Sequence, residues 1–146
     1  MKVTEDYVGR VYPPHPPYIV SAAKIKEFAE AVGSTDPVHT DREVARARGY
    51  RDVIAPPTFA VIISQRPEFA FLNDPENGIE FGKVLHGEQG FTYQRPLTAG
   101  DVVAATLRID SVRAAGANTM IGVRTDLTAG EELVCTTNST IVVRGD

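Results

Sequence analysis

Apolar side chains recur at helical spacing between residues 22 and 32. Ala22, Ile25, Phe28, Ala29 and Val32 fall on one face, while Lys24, Lys26, Glu27 and Glu30 mostly face away. Ser21 is placed to cap that helix, because its hydroxyl can accept an unpaired backbone N–H of the first turn. Gly33 is placed to stop it. Asp41 is positioned to cap a shorter helix, Arg42 to Arg48, closed by Gly49. Pro57 suits the first turn of a third helix. Its continuation, Phe59-Ala60-Val61-Ile62-Ile63, leaves no polar face, so Thr58 to about Gln65 reads as a buried helix.

From Lys83 onward the helical period gives way to alternation. Phe91 and Tyr93 share one strand face, and Val103, Ala105, Leu107 and Ile109 share the next. Ile121, Val123 and Leu127 mark a third strand; Leu133, Cys135, Ile141 and Val143 mark a fourth. Glycine turns at Gly100, Gly116 and Gly130 separate them, as in an antiparallel meander. One buried helix ahead of such a meander predicts an α+β fold of about five to six strands, the sheet wrapped around the helix. The segment Tyr12 to Tyr18 carries Pro13, Pro14, Pro16 and Pro17 and reads as a stiff extended arm on the surface, with His15 exposed on it.

The 146 residues predict a single domain, 1–146. A chain of this size buries about 70% of its unfolded surface and needs no metal or disulfide staple. A net charge of −4 without a basic stripe speaks against nucleic acid as a partner. The single cysteine, Cys135, excludes an intrachain disulfide and a Cys-based zinc site, and its apolar flanks make it a small buried hydrophobe. His15, His39 and His86 have no metal-ligand spacing, so neither metal nor cofactor is expected. The longest clean apolar run, Phe59 to Ile63, is too short to span a membrane. The acidic start at Glu5-Asp6 is unlike a secretory leader. These features predict a soluble cytoplasmic protein. There is no Gly-x-Ser-x-Gly elbow and no phosphate-binding glycine loop.

Two runs carry chemistry. Val32-Gly33-Ser34-Thr35-Asp36-Pro37-Val38-His39-Thr40-Asp41 resembles the active-site loop of the MaoC-type enoyl hydratases and 3-hydroxyacyl dehydratases. Val53-Ile54-Ala55-Pro56-Pro57-Thr58-Phe59 is similar to the entry into their central helix. The resemblance implies the hot-dog fold, pairing of subunits along a sheet edge, and an acyl thioester of coenzyme A or of a carrier protein as substrate. In the catalytic branch the loop reads Gly-Asp-x-Asn-Pro-(Leu/Ile/Val)-His-x-Asp, and a later His-Gly provides a backbone N–H for the enolate oxygen. Carried over position by position, Pro37, Val38, His39 and Asp41 match. His39 falls on the catalytic histidine and Asp36 on the asparagine. Ser34 falls on the catalytic aspartate, and Pro56-Pro57 on His-Gly.

Both departures are chemical. Ser34 cannot serve as a carboxylate base, and Pro57 has no N–H. Asp36 lies two residues from Ser34, about 6.5 Å along an extended chain, so it replaces the aspartate only in a differently shaped loop. Phe91-Thr92-Tyr93-Gln94-Arg95-Pro96-Leu97-Thr98-Ala99-Gly100-Asp101 completes a pattern similar to the actinobacterial dehydratase N-terminal-domain branch, over about Tyr7 to Val143. That branch includes the substrate-binding subunit of mycobacterial heterodimeric 3-hydroxyacyl-carrier-protein dehydratases, in which the partner contributes the Asp/His pair.

The expected function is therefore a 3-hydroxyacyl-thioester dehydratase or enoyl hydratase subunit of fatty-acid metabolism. It would hold the acyl chain for a catalytic MaoC-type partner. Two alternatives stand beside it: a self-sufficient homodimeric hydratase using Asp36 and His39, and a non-catalytic acyl-thioester-binding protein. His86 and Glu88, two apart on a strand, form an alternative polar pair. Arg51, Lys83 and Arg95 are the cations available to a carrier or coenzyme A. Hot-dog thioesterases place an acid on the central helix, and Thr58 to Gln65 contains none.

Overall fold

The computed structural model describes residues 1–146. The elements are β1 (His15–Ile19), α1 (Ala22–Val32), α2 (Arg42–Ala47), α3 (Ala60–Asn73), β2 (Val84–Tyr93), β3 (Val102–Ala115), β4 (Asn118–Ala129) and β5 (Glu132–Val143). Short 3-10 turns lie at Pro37–His39 and Pro57–Phe59. The five strands form one antiparallel sheet in the order β1-β3-β4-β5-β2. α3 lies on its inner face, so the α+β architecture with a wrapped central helix holds.

The caps work as their residue types dictate. Ser21 accepts from Lys24 N–H at 3.1 Å, and Gly33 ends α1 in the left-handed region at φ 72°. Asp41 accepts from Glu43 and Val44 N–H to start α2. Within α1 only Ile25 and Ala29 are fully buried, and Val32 is exposed. Phe28 and Tyr18 meet Phe59 edge to face, at 5.4 and 6.4 Å between ring centroids. These contacts fix α1 and β1 against the entry of α3.

Four expectations need correction. The proline arm is a strand: residues 15–19 pair antiparallel with β3, through His15 opposite Ala105, Tyr18 opposite Val103 and Ile19 opposite Val102. Pro16 and Pro17 are tolerated because β1 is an edge strand and both fall in the register shift between His15 and Tyr18, where no ladder bond to β3 is formed. His15 is accordingly half-buried rather than exposed. The central helix does not stop at Gln65 but runs to Asn73, through Pro67. Its second half buries Glu68, Phe71 and Leu72. The fourth-strand face is shifted, because a bulge at Leu127/Thr128 turns Val134 and Cys135 both inward and leaves Leu133 partly exposed. His86 and Glu88 do not share a face. A bulge between them sets His86 opposite Ile141 and Glu88 opposite Thr140, on opposite sides of the sheet.

The core has two apolar parts. One surrounds the start of α3, with Phe59, Ile63, Leu97, Leu127 and Cys135. The other packs under its C-terminal half, with Phe71, Leu72, Ile109, Ile121 and Ile141. Between them lies a layer of buried polar side chains, Ser64 and Glu68 from α3, Thr125 from β4, and Thr137 and Ser139 from β5. Register aligns this layer: Thr125 lies opposite Thr137, and Val123 opposite Ser139.

Candidate functional site

The motif loop and the entry of α3 meet in a cavity of about 570 Å³ lined by Asp36, Val38, His39, Arg48, Tyr50, Ile54, Ala55, Pro57, Tyr93, Gln94, Arg95 and Pro96. Residues 53–55 anchor its floor. Ala55 N–H donates to Leu97 C=O at 2.8 Å, and Ile54 N–H to Val38 C=O at 3.3 Å.

His39 ends the 3-10 turn and is buried. Its Nδ1 lies 2.7 Å from Ile54 C=O. A carbonyl can only accept, so Nδ1 carries the proton and Nε2 is the basic nitrogen of the neutral ring. This is the tautomer a general base needs.

Asp36 is in the same cavity but committed elsewhere. Its Oδ1 caps the turn by accepting from Val38 N–H at 3.0 Å, and both oxygens accept from Arg48 Nη1 at 2.9 Å. The Arg48 guanidinium, followed by the Val38 N–H, holds the carboxyl below its ordinary range. No hydrogen bond joins Asp36 to His39: His39 Nδ1 is already paired with Ile54, and Asp36 is turned to the guanidinium. Ser34 is half-buried and lies outside the cavity lining. Its backbone N–H closes α1 on Ala29 C=O at 2.9 Å.

Pro57 opens the 3-10 turn that leads into α3. Tyr93, the last residue of β2, donates its hydroxyl to Pro57 C=O. Burial, then the neighbouring Cys135 thiol, push the Tyr93 phenol above its ordinary range. Burial also pushes Cys135 itself up to about 11, so the thiol is an unreactive packing group. The Tyr93 ring stacks on Phe91 at 6.3 Å.

Of the three cations, Arg95 alone lines the cavity, and it is already paired. It holds Asp101 bidentately at 2.8 and 3.1 Å, and Glu132 at 2.6 Å. Asp101 is buried and also accepts from Thr98 N–H at 2.8 Å and from Arg51 at 3.1 Å. Burial alone would raise its carboxyl, but the Arg95 and Thr98 hydrogen bonds outweigh it and hold the pKa low. The run from Arg95 to Asp101 is thus a clasp that closes the β2–β3 turn on itself. Lys83 is far from the cavity and pairs with Glu80 and Asp146.

The helix that looked free of acids carries Glu68, which removes that sequence argument against a thioesterase. The geometry supplies another. Glu68 is 4% exposed, takes a hydrogen bond from Ser139 Oγ at 2.7 Å, and is outside the His39 cavity. His86 sits at the β2 edge, hydrogen-bonded to Gln89 rather than paired with Glu88. A shallow groove of about 620 Å³ on the outer face, around Gly90, Gly122 and Asn138, contains no imidazole or thiol. No three His, Cys, Asp or Glu side chains converge on a metal position, and no helix is long and apolar enough to cross a membrane.

Of the residues singled out in the sequence, His39, Asp36 and Pro57 line the cavity; Arg48 and Tyr93, which bind Asp36 and the Pro57 carbonyl there, were not among the candidates. Tyr93 was readable only as a strand hydrophobe. Arg48 sits twelve positions from Asp36 and meets it only once α2 has folded.

Comparison with known proteins agrees with this geometry. The model of the FAS1-like, dehydratase domain region matches residues 6–137. A UPF0336 protein of Saccharopolyspora erythraea is 44% identical over 146 residues, 99% of this chain and 94% of that protein. Among solved structures, the C-terminally truncated HadBC (3R-hydroxyacyl-ACP dehydratase) complex of Mycobacterium tuberculosis superposes with a TM-score of 0.83 at 27% identity, covering 94% of this chain and 97% of the matched one. A MaoC-like dehydratase superposes with a TM-score of 0.83 at 30% identity, covering 97% of this chain and 43% of that one. The chain has the hot-dog dehydratase fold and belongs to the FAS1-like dehydratase-region family and to the UPF0336 proteins.

Proposed function

We propose that this chain is the acyl-binding subunit of an (R)-3-hydroxyacyl-thioester dehydratase or enoyl-thioester hydratase, working beside a MaoC-type hot-dog subunit that supplies the catalytic Asp/His pair. The carrying observation is the commitment of Asp36 to Arg48 and Val38 N–H. Hydration needs a carboxylate and an imidazole acting together on water and the α-proton, and here the imidazole is set but the Asp36 carboxylate is bound to Arg48 and makes no hydrogen bond to it. Loss of one such partner typically costs about 10²–10⁴ in rate. The HadBC match is a complex of hot-dog dehydratase chains, which supports a two-subunit reading.

The surface supports a partner at β2. That strand pairs only with β5, which leaves its ten-residue outer edge free. Beside it Phe69 and Phe81, edge to face at 6.1 Å, and Leu85 are exposed. The thioester would be one of coenzyme A or of a carrier protein.

A second reading is favoured by one observation, the Nδ1 hydrogen bond that leaves His39 Nε2 basic. It makes the chain a self-sufficient hydratase. One experiment separates the two: hydration of a trans-2-enoyl thioester by this chain alone, by a MaoC-type subunit alone, and by the mixture. Turnover in the mixture only is the expected result. Turnover by this chain alone, abolished by His39→Ala, would establish the second reading. Binding without turnover in any combination would make the chain an acyl-thioester-binding protein.

A further inference from the structure

We propose that the Tyr93 hydroxyl is the hydrogen-bond donor to the thioester carbonyl in the His39 cavity, in place of the backbone N–H that Pro57 lacks. This rests on the reading that the cavity takes an acyl thioester.

The geometry behind it begins in the sheet. Tyr93 lies opposite Cys135, so its ring is on the inner face of β2, and stacking on Phe91 fixes its approach. The hydroxyl reaches the turn that opens α3, where it donates to Pro57 C=O. Tyr93, Pro57 and His39 line one cavity. A donor is therefore placed beside the residue that cannot donate.

Burial keeps this phenol protonated, so its O–H remains available to donate. Rotation about the phenol C–O bond moves the hydrogen from Pro57 C=O to a ligand oxygen in the cavity without moving the ring. Among the other cavity side chains, Arg48 is held by Asp36, Arg95 by Asp101 and Glu132, and Gln94 is exposed, while only Tyr93 is hydrogen-bonded at Pro57.

In the hydration step the water hydroxyl adds to C3 and a proton adds to C2, through an enolate whose charge collects on the thioester oxygen. Tyr93 only donates a hydrogen bond to that oxygen. Its proton stays on the phenol, and no bond to Tyr93 forms or breaks. Removing one such donor typically lowers the rate about 10²–10³-fold.

The test uses hexanoyl-coenzyme A, which cannot be hydrated, with a carbon-13 label at the thioester carbonyl, bound to the chain with its MaoC-type partner. Infrared difference spectra report the carbonyl stretch. The expected result is a shift to lower frequency on binding, lost in Tyr93→Phe and enlarged when Tyr93 is replaced by 3-fluorotyrosine, whose phenol is more acidic at nearly the same shape. In turnover, Tyr93→Phe lowers kcat while KM changes little. An unaltered carbonyl shift in Tyr93→Phe, or an unshifted carbonyl in the wild type, overturns the proposal and leaves the substrate reading standing. Tyr93 would then be only a brace for α3, visible as a lower unfolding temperature. Absence of any acyl-thioester binding by the wild type overturns both. Should Tyr93→Phe fail to fold, the fluorotyrosine protein carries the test alone, and an unchanged frequency sinks the idea.

Discussion

Arg48 decides what Asp36 can do. A guanidinium bound to both carboxylate oxygens holds Asp36 anionic and committed to Arg48. Because the folded pKa is depressed, the contribution of this pair is present above the unfolded value near 3.8 and is lost as pH falls through the folded one. In Arg48→Gln the Asp36 titration is expected to move up toward the ordinary carboxylate range, as read by NMR of the side-chain carboxyl. An unmoved titration would show that Val38 N–H alone sets the carboxyl. None of this was legible in the linear motif. The spacing of Asp36 and His39 was visible as two residues of the right types, but their orientation is set by Ile54 and Arg48, which arrive from elsewhere in the chain.

At the scale of elements, α3 shows where pattern reading succeeds and fails. Its start was legible because Pro57 and the apolar run after it leave no other choice. Its second half was not, because Gln65-Arg66-Pro67-Glu68 reads as polar and helix-breaking. Packing overrides that reading. Pro67 removes only the N–H that would have paired with Ile63 C=O, and Glu68 is accommodated by a hydrogen bond from Ser139 Oγ. Burial drives the Glu68 carboxyl up, against the opposing effects of the Ser139 hydroxyl and the charge of His86. The protonated form is the one the fold prefers. The stability it contributes is therefore full below the unfolded pKa of about 4.5 and is lost as pH rises through the higher folded value. Glu68→Gln, which keeps the shape and removes the titration, is expected to gain stability relative to wild type as pH rises from acid toward neutral and beyond. Urea unfolding of both proteins across pH measures the difference. A constant gap would mean that Glu68 titrates alike in the folded and unfolded states. The same layer holds Thr125 and Thr137, buried hydroxyls without a protein partner, which add to the polar character of this band between the two apolar halves.

For the whole molecule, the meander β3-β4-β5 was legible because each turn carries glycine and long stretches of each strand alternate, although the bulge in β5 shifts part of its face. The two closures of the sheet were not. β1 on β3 and β2 on β5 join segments distant in sequence, and the prolines of β1 hide it as a strand. Those two outer strands differ in kind. β1 is five residues long, irregular in register and bears Pro16 and Pro17, so part of its outward edge has no N–H to offer. β2 is ten residues long and has no proline. Light scattering of the purified chain over a wide concentration range is expected to show one or two subunits and no ladder of larger species; a ladder would mean that β1 also accepts a strand. On the expected outcome, the prolines that disguised β1 in the sequence also set a stoichiometry. A sheet that can be extended on one side only is complete once a single neighbour has joined, and the repeated addition that builds a fibre has no second end from which to continue.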